Sequence, residues 1–307
     1  MSNNPETVQT NILQADNIKR LRTRSLKIGD WVVVAFCAFL ILIYLAPFIN
    51  IISRSLSSSN ALVNNWVSFW PVEFSLDSYA YVLSDAAFSR SLIFTAILTV
   101  ICTAFSMFMT ILASYPLIYD LKGGRFINIM IILTMYFSAG TIPNYLLMKQ
   151  LNLLDNPLVL VLPGCLSVFN MIILRSFFWG IPESLRESAE LDGAGPFTVL
   201  INIYLPLSVP VLATLALFYA VGRWNGFSDA LMYITNVKYQ PIQLKLWQII
   251  NNRSSIEIAT QEGFTTPAVS EGLKAASVMF ATVPILVIYP WLQRYFISGV
   301  TIGAVKG

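Results

Sequence analysis

The sequence predicts an all-α polytopic membrane protein with six transmembrane helices, and three observations carry that expectation. The 307-residue chain is 56% apolar and 11% charged, against about 25% charged residues in ordinary soluble domains. Its mean hydropathy is +0.67. Its uncharged residues gather into six runs of 19 to 30 residues, and a helix crossing the hydrocarbon core needs about 20. The period within the runs is helical, not the alternation of an outer-membrane barrel.

The first run, 31–53, follows a polar tail, residues 1–30. No cleavable signal peptide is expected, because the first apolar stretch is already a full span in length and should stay as an anchor. The second and third runs are 91–119 and 126–148, separated by Lys122, Arg125 and a Gly123-Gly124 pair that reads as a tight turn. The fourth is 156–174 and the last is 275–293. The fifth, 193–222, exceeds one span and contains Pro196, Pro206 and Pro210, so the crossing is expected at about 207–227. The six-span domain is thus about 31–297, with a C-terminal tail at 298–307. Prolines at 47, 116, 143, 163, 210, 284 and 290 are expected to kink spans where neighbours or a water-lined cavity satisfy the freed carbonyls.

Lys and Arg set the orientation. With six spans, the side holding both termini carries 11 of the 19 basic residues, five of them among residues 19–30, while acidic residues divide evenly. Both termini are therefore expected in the cytoplasm. Two outer loops are long enough to carry structure, about 54–90 and 228–274. Trp66, Phe69, Trp70, Phe74, Tyr239 and Trp247 in them are either interfacial anchors or contacts for an extracytoplasmic partner.

Several chemistries are disfavoured. The chain has no histidine, and Cys37, Cys102 and Cys165 are far apart within apolar runs, where they read as packing residues rather than metal ligands. No basic tract suggests nucleic acid. None of the six runs holds an Asp, Glu, Lys or Arg, so an ion-coupled transporter or an intramembrane enzyme lacks its usual ionisable residue. On these grounds the chain is a pore or permease subunit whose energy source lies elsewhere.

The loop at about 180–206 is the most specific feature. It reads Ile181-Pro-Glu-Ser-Leu-Arg-Glu-Ser-Ala-Glu-Leu-Asp-Gly-Ala-Gly-Pro-Phe. Pro182 suits a first helical position, Glu183 a first turn, and Gly193 and Gly195 a C-terminal end, so a short capped helix is expected at the membrane surface. Here the sequence resembles the permease subunits of bacterial ABC importers, whose loop carries Glu-Ala-Ala, three residues, Gly, nine residues, Ile, one residue, Leu-Pro. Glu187, Ser188, Ala189, Gly193, Ile203, Leu205 and Pro206 stand at that spacing, with Ser188 as the one departure. Asp192 and Ala194 beside Gly193, Gly222-Arg223-Trp224-Asn225 and the closing Gly299 to Gly307 are similar to the carbohydrate-uptake branch, the smaller permease of maltose-type and complex-polysaccharide importers.

That resemblance implies a set of partners: a second homologous permease making a heterodimer, two copies of a cytoplasmic ATPase, and an extracytoplasmic sugar-binding protein. It implies that the loop helix docks on the ATPase and that Gly303, Val305, Lys306 and Gly307 reach the same interface. ATP and Mg²⁺ then belong to the ATPase, in keeping with the absence from this sequence of a Gly-x-x-x-x-Gly-Lys-Ser/Thr phosphate loop. No cofactor or metal is expected in this chain. The resemblance further implies that the outer loop, with Asn251, Arg253, Glu257, Glu262 and Gly263, reaches into the binding protein; otherwise it is a solvated connector. Because sugar pockets combine aromatic faces with neutral amides, Tyr136, Asn144, Tyr219, Trp224 and Asn225 are candidates for the substrate pathway. Trp224 equally suits an interfacial anchor, and Asn144 a group satisfying a proline kink. Oligosaccharide import is the leading function, with an importer for another solute as the alternative.

Overall fold

The computed structural model describes residues 28–119, 122–251, 271–287 and 290. Among them the chain is almost entirely helical, with a lone antiparallel bridge between Ser57 and Phe74. The N-terminal unit ends at Ile51 and the second runs from Ile52. Helix α1 (Ile28–Ser55) is a long apolar helix with Pro47 in its interior and Arg54 in its last turn.

The second unit begins with the segment expected as the first outer loop, which is structured. Helix α2 (Ser59–Val63) is capped by the Ser58 hydroxyl, which accepts from the Ala61 amide. Helix α3 (Asp77–Ser84) runs into Asp85, whose carboxylate accepts from the Ala87 amide and so starts α4 (Ala86–Ser114). The aromatic residues Trp66, Phe69, Trp70 and Phe74 stay exposed.

Helix α4 organises the rest. Its buried face reads Ser91, Thr95, Leu98, Cys102, Ser106, Thr110 and Ser114, spaced three or four residues apart. Small side chains let the partner backbone come close, and α11 (Val209–Asn225) makes its most extensive helix contact there. Three of these hydroxyls have partners that lower the cost of burial: Thr95 and Thr110 donate to the carbonyls of Ser91 and Ser106, and Ser114 donates to that of Met171, whereas the hydroxyls of Thr99 and Thr103 on the same helix are buried without one among the described residues. The cysteines are free thiols, Cys102 buried in this face and Cys37 exposed.

The uncharged runs do not each become a straight helix. Among the described residues, Gly29–Ser55 and Ala86–Ile118 can each cross a membrane by length and composition, and two bent pairs bring the number to four if each pair is one span. The third run breaks into α5 (Gly124–Tyr136) and α6 (Thr141–Gln150), bent by 108°. Gly140 at the break has φ +89°, which few L side chains adopt, and Pro143 falls in the first turn of α6, where a missing amide costs nothing. The fourth run is helical only in its second part, as α7 (Val168–Trp179), because Pro157 opens a 3-10 turn and Pro163-Gly164 lies in a non-helical stretch. Charge counting is blind to these helix breakers. Pro116 and Pro210 likewise open helices instead of kinking them.

The helix expected at about 207–227 is α11, within two residues at each end, but it is preceded by a sharp turn. Helix α8 (Glu183–Leu191), α9 (Pro196–Val199), a π-helical turn (Leu200–Tyr204) and α10 (Leu205–Leu207) lead into it, with an 83° bend at Ser208. Pro206 has no amide for the Asn202 carbonyl, and the Leu205 amide reaches back five residues to the Leu200 carbonyl.

The segment after α11 differs most from expectation. It is not a projecting loop from Ser228 onward. Helix α12 (Ser228–Tyr233) and α13 (Ile242–Asn251) bury Ala230, Ile242, Leu244 and Leu246 in the core. Helix α14, residues 271–287, packs Ala276 and Ala281 against Phe88, Val82 and Ile242. The polar stretch 252–270 lies outside the described residues.

Candidate functional site

The loop helix α8 explains the spacing of its motif. The Gly193 amide donates to the Glu190 carbonyl at 3.0 Å, and the Ala194 amide to the Ala189 carbonyl at 2.9 Å. This is the Schellman arrangement, with Gly193 at C′, Ala194 at C″ and Ala189 at C3. Gly193 has φ +85°, as the motif requires. Ala189 and Ala194 both pack on one apolar cluster, so the small residue and the glycine four positions later close the same helix end. Asp192 occupies the C-cap. Two expectations shift by a position or more: Pro182 is the N-cap, not the first helical residue, and Gly195 is the N-cap of α9.

The helix presents its polar face outward. Glu187, Ser188 and Asp192 are exposed, and the Ser188 hydroxyl donates to the Ser184 carbonyl. Arg186 pairs with Glu183 and lies 3.8 Å from Glu190. Burial opposes its charge, but the Glu190 and Glu183 carboxylates outweigh that and hold its pKa above the usual guanidinium value. Its guanidinium also sits 5.0 Å from the Tyr119 ring centre.

The inner face is held by an aromatic knot. Tyr115, Phe178 and Tyr204 meet edge to face at centroid distances of 5.4 to 6.4 Å. The Tyr115 hydroxyl donates to the Pro196 carbonyl at 2.8 Å and is 2.6 Å from the Tyr119 hydroxyl. Ile203 and Leu205 join this cluster, and Pro206 stands at the turn beyond it. The loop helix is thereby fixed to the end of α4.

A cavity of about 930 Å³ lies between α4, α7 and α11. Its lining combines Phe169, Phe218 and Tyr219 with Ser167, Asn170 and Asn225. Arg223 and Asp229 close one side. The Arg223 guanidinium donates to the Asp229 carboxylate at 2.5 and 3.1 Å and to the carbonyls of Leu160 and Gly226. The Arg223 side chain is 10% exposed and that of Asp229 31%.

The structure brings two of the five candidate pathway residues to this cavity, Tyr219 and Asn225. The Tyr219 hydroxyl is already engaged, accepting from the Ser167 amide at 3.1 Å and lying 2.7 Å from the Thr110 hydroxyl. Trp224 is elsewhere: its indole N–H donates to the Ala281 carbonyl and ties α11 to α14. Tyr136 and Asn144 flank the break between α5 and α6 and are exposed. The Asn144 backbone amide makes the ordinary helical bond to the Gly140 carbonyl. Asn251 is exposed at the end of α13. Arg253, Glu257, Glu262, Gly263, Gly303, Val305, Lys306 and Gly307 lie outside the described residues.

Sequence reasoning used Arg223 only as part of the Gly222-Arg223-Trp224-Asn225 resemblance, gave it no structural role, and did not single out Asp229. Their one local signal is opposite charge six residues apart across Gly226, at a helix end.

A family model described as the binding-protein-dependent transport system inner membrane component matches residues 86–302. The polygalacturonan/rhamnogalacturonan transport system permease protein YtcP of Bacillus subtilis (strain 168) is 38% identical over 283 residues, covering 92% of this chain and 99% of that one. Protein LplC of the same strain is 41% identical over 268 residues, covering 86% and 90%. A crystal structure of a bacterial ABC transporter involved in the import of the acidic polysaccharide alginate contains a chain that superposes with a TM-score of 0.81 at 31% identity, covering 89% of this chain and 98% of that one. The chain therefore belongs to the binding-protein-dependent transport system inner membrane components, the multi-pass permeases of ABC transporters.

Proposed function

We propose that this chain forms half of the translocation pathway of an ATP-driven importer that takes up oligosaccharides delivered by an extracytoplasmic binding protein. The observation that carries the reading is the loop helix: α8 is fixed by its Schellman end and the aromatic knot on one face, and leaves Glu187, Ser188 and Asp192 exposed on the other. Such a rigid, solvent-facing helix suits docking into a cleft of an ATPase that holds ATP and Mg²⁺ itself. The names of similar proteins, for polygalacturonan/rhamnogalacturonan and for alginate, support an oligosaccharide cargo.

In this reading the chain crosses the cytoplasmic membrane six times with both termini in the cytoplasm, the bent pairs counting as spans. It pairs with a second homologous permease and two ATPase copies. The break at Phe137 to Gly140 leaves non-helical backbone at membrane depth, which is tolerated where it lines a water-filled path or a protein partner. The cavity holding Tyr219, Asn225 and the Arg223–Asp229 pair forms part of the pathway wall. The C-terminal residues Gly303 to Gly307 reach the ATPase, and the stretch around Arg253 to Gly263 reaches into the binding protein.

Co-purification and reconstitution test the reading. Tagged chain should bring down a second polytopic subunit and an ATPase. Proteoliposomes holding all of them should take up oligosaccharide only with ATP and binding protein. A homodimer of this chain that transports by itself overturns it.

A further inference from the structure

We propose that Arg175 is the positioning residue that carries movement of the loop helix α8 to the broken helix pair α5–α6. The inference rests on the reading that α8 is where the ATPase docks.

Arg175 lies on α7, the helix that leads into α8. Its Nε donates to the Leu117 carbonyl at 3.1 Å, in the 3-10 turn (Pro116–Ile118) that ends α4. Its Nη1 donates to Asn128 Oδ1 at 2.8 Å, on α5. The guanidinium also sits 4.8 Å from the Trp179 ring centre, one turn further along its own helix. One side chain thus joins α7, α5 and the end of α4. A planar guanidinium holds such directions at once, whereas an ammonium on a flexible stem does not. A cation beside a helix's last carbonyls is also electrostatically favoured.

The chain between α7 and α8 has no slack. Gly180 and Ile181 donate their amides to the carbonyls of Phe177 and Phe178, and Pro182 already caps α8. Ile181 and Phe178 pack in the same apolar cluster as Ala189 and Ala194. A displacement of α8 therefore moves α7 with it, and Arg175 passes that motion to Asn128 in the second turn of α5. Helix α5 continues unbroken to Tyr136 and ends at Phe137 to Gly140, where the chain turns by 108° into α6. A shift of α5 at Asn128 is delivered to the break, the point where the backbone is least constrained by helical bonds.

The test compares thiol labelling at two exposed positions, Leu185→Cys on α8 and Ser138→Cys at the break, in the complete complex with the native cysteines replaced by Ala. In proteoliposomes, adding ATP and Mg²⁺ should change the maleimide labelling rate at both. Arg175→Lys and Asn128→Leu should each abolish the change at position 138 and retain it at position 185. Asn128→Leu removes only the acceptor and no charge, so it decides the matter alone if the Arg175 variant fails to assemble. A wild-type response at position 138 in the variants overturns the inference. No ATP response at position 185 in the otherwise unmodified complex overturns the docking reading itself, and the inference with it.

Discussion

Arg223 grips Asp229 with both terminal nitrogens, at 2.5 and 3.1 Å, and the pair walls a cavity of about 930 Å³. Arg223 carries further bonds to the Leu160 and Gly226 carbonyls, so one guanidinium fixes the end of α11, the turn after it and the 3-10 segment Pro157–Leu160.

Asp229→Leu should therefore destabilise the chain by about 2 kcal/mol, below the figure for a fully buried pair because Asp229 is 31% exposed. Removing both charges, as Arg223→Met with Asp229→Leu, should cost less than the single change, because no unpaired cation is left behind. Denaturation midpoints of the purified variants check this. A double variant no more stable than Asp229→Leu would show that the pair contributes through shape alone.

Gly193 has φ +85° with no atom within 4 Å of where a Cβ would stand, so only backbone strain opposes a side chain there. Gly193→Val should cost about 1–2 kcal/mol locally and unwind the Schellman end, with loss of ATP-dependent uptake. Gly193→Asn should keep most of it, since Asn tolerates the left-handed region. Equal uptake by the two variants would remove the helix-end explanation.

Glu187 is exposed, so Glu187→Lys should leave the thermal midpoint within error of wild type. It should weaken recovery of the ATPase in pull-downs by placing a cation on the docking face. Undiminished recovery would place the ATPase contact elsewhere on α8.

Tyr219 and Asn225 line one cavity but should behave differently. The Tyr219 hydroxyl is engaged with Ser167 and Thr110, so Tyr219→Phe should lower stability by about 1 kcal/mol and leave the apparent KM for uptake unchanged. Asn225 is exposed to the cavity, with its side-chain amide donating to the Val221 carbonyl, and Asn225→Ala should raise the apparent KM. The opposite pattern would make the Tyr219 hydroxyl a substrate contact.

What could be read from sequence was local. The loop helix announced itself through Glu183, Ala189 and Gly193, because a helix end is decided by residues within one or two turns of each other. Helix α11 was equally visible as an uncharged run between prolines and Arg223. The broken third run was not, because counting charge gives no weight to Gly140 or Pro143. The helices of residues 228–251 were missed because their polar residues masked the buried faces of Ile242, Leu244 and Leu246. Contacts such as Arg175 with Asn128, 47 residues apart, depend on which helices pack together, and spacing along the chain does not encode that.

Oligosaccharide uptake into proteoliposomes, measured with and without the ATPase subunit and in the Gly193→Val background, tests most directly that import is driven through the loop helix. Uptake that needs ATP and the ATPase, and that is lost in Gly193→Val although the complex still inserts, is the predicted result. Uptake by the membrane subunits without the ATPase, or full ATP-dependent uptake in Gly193→Val, would contradict it.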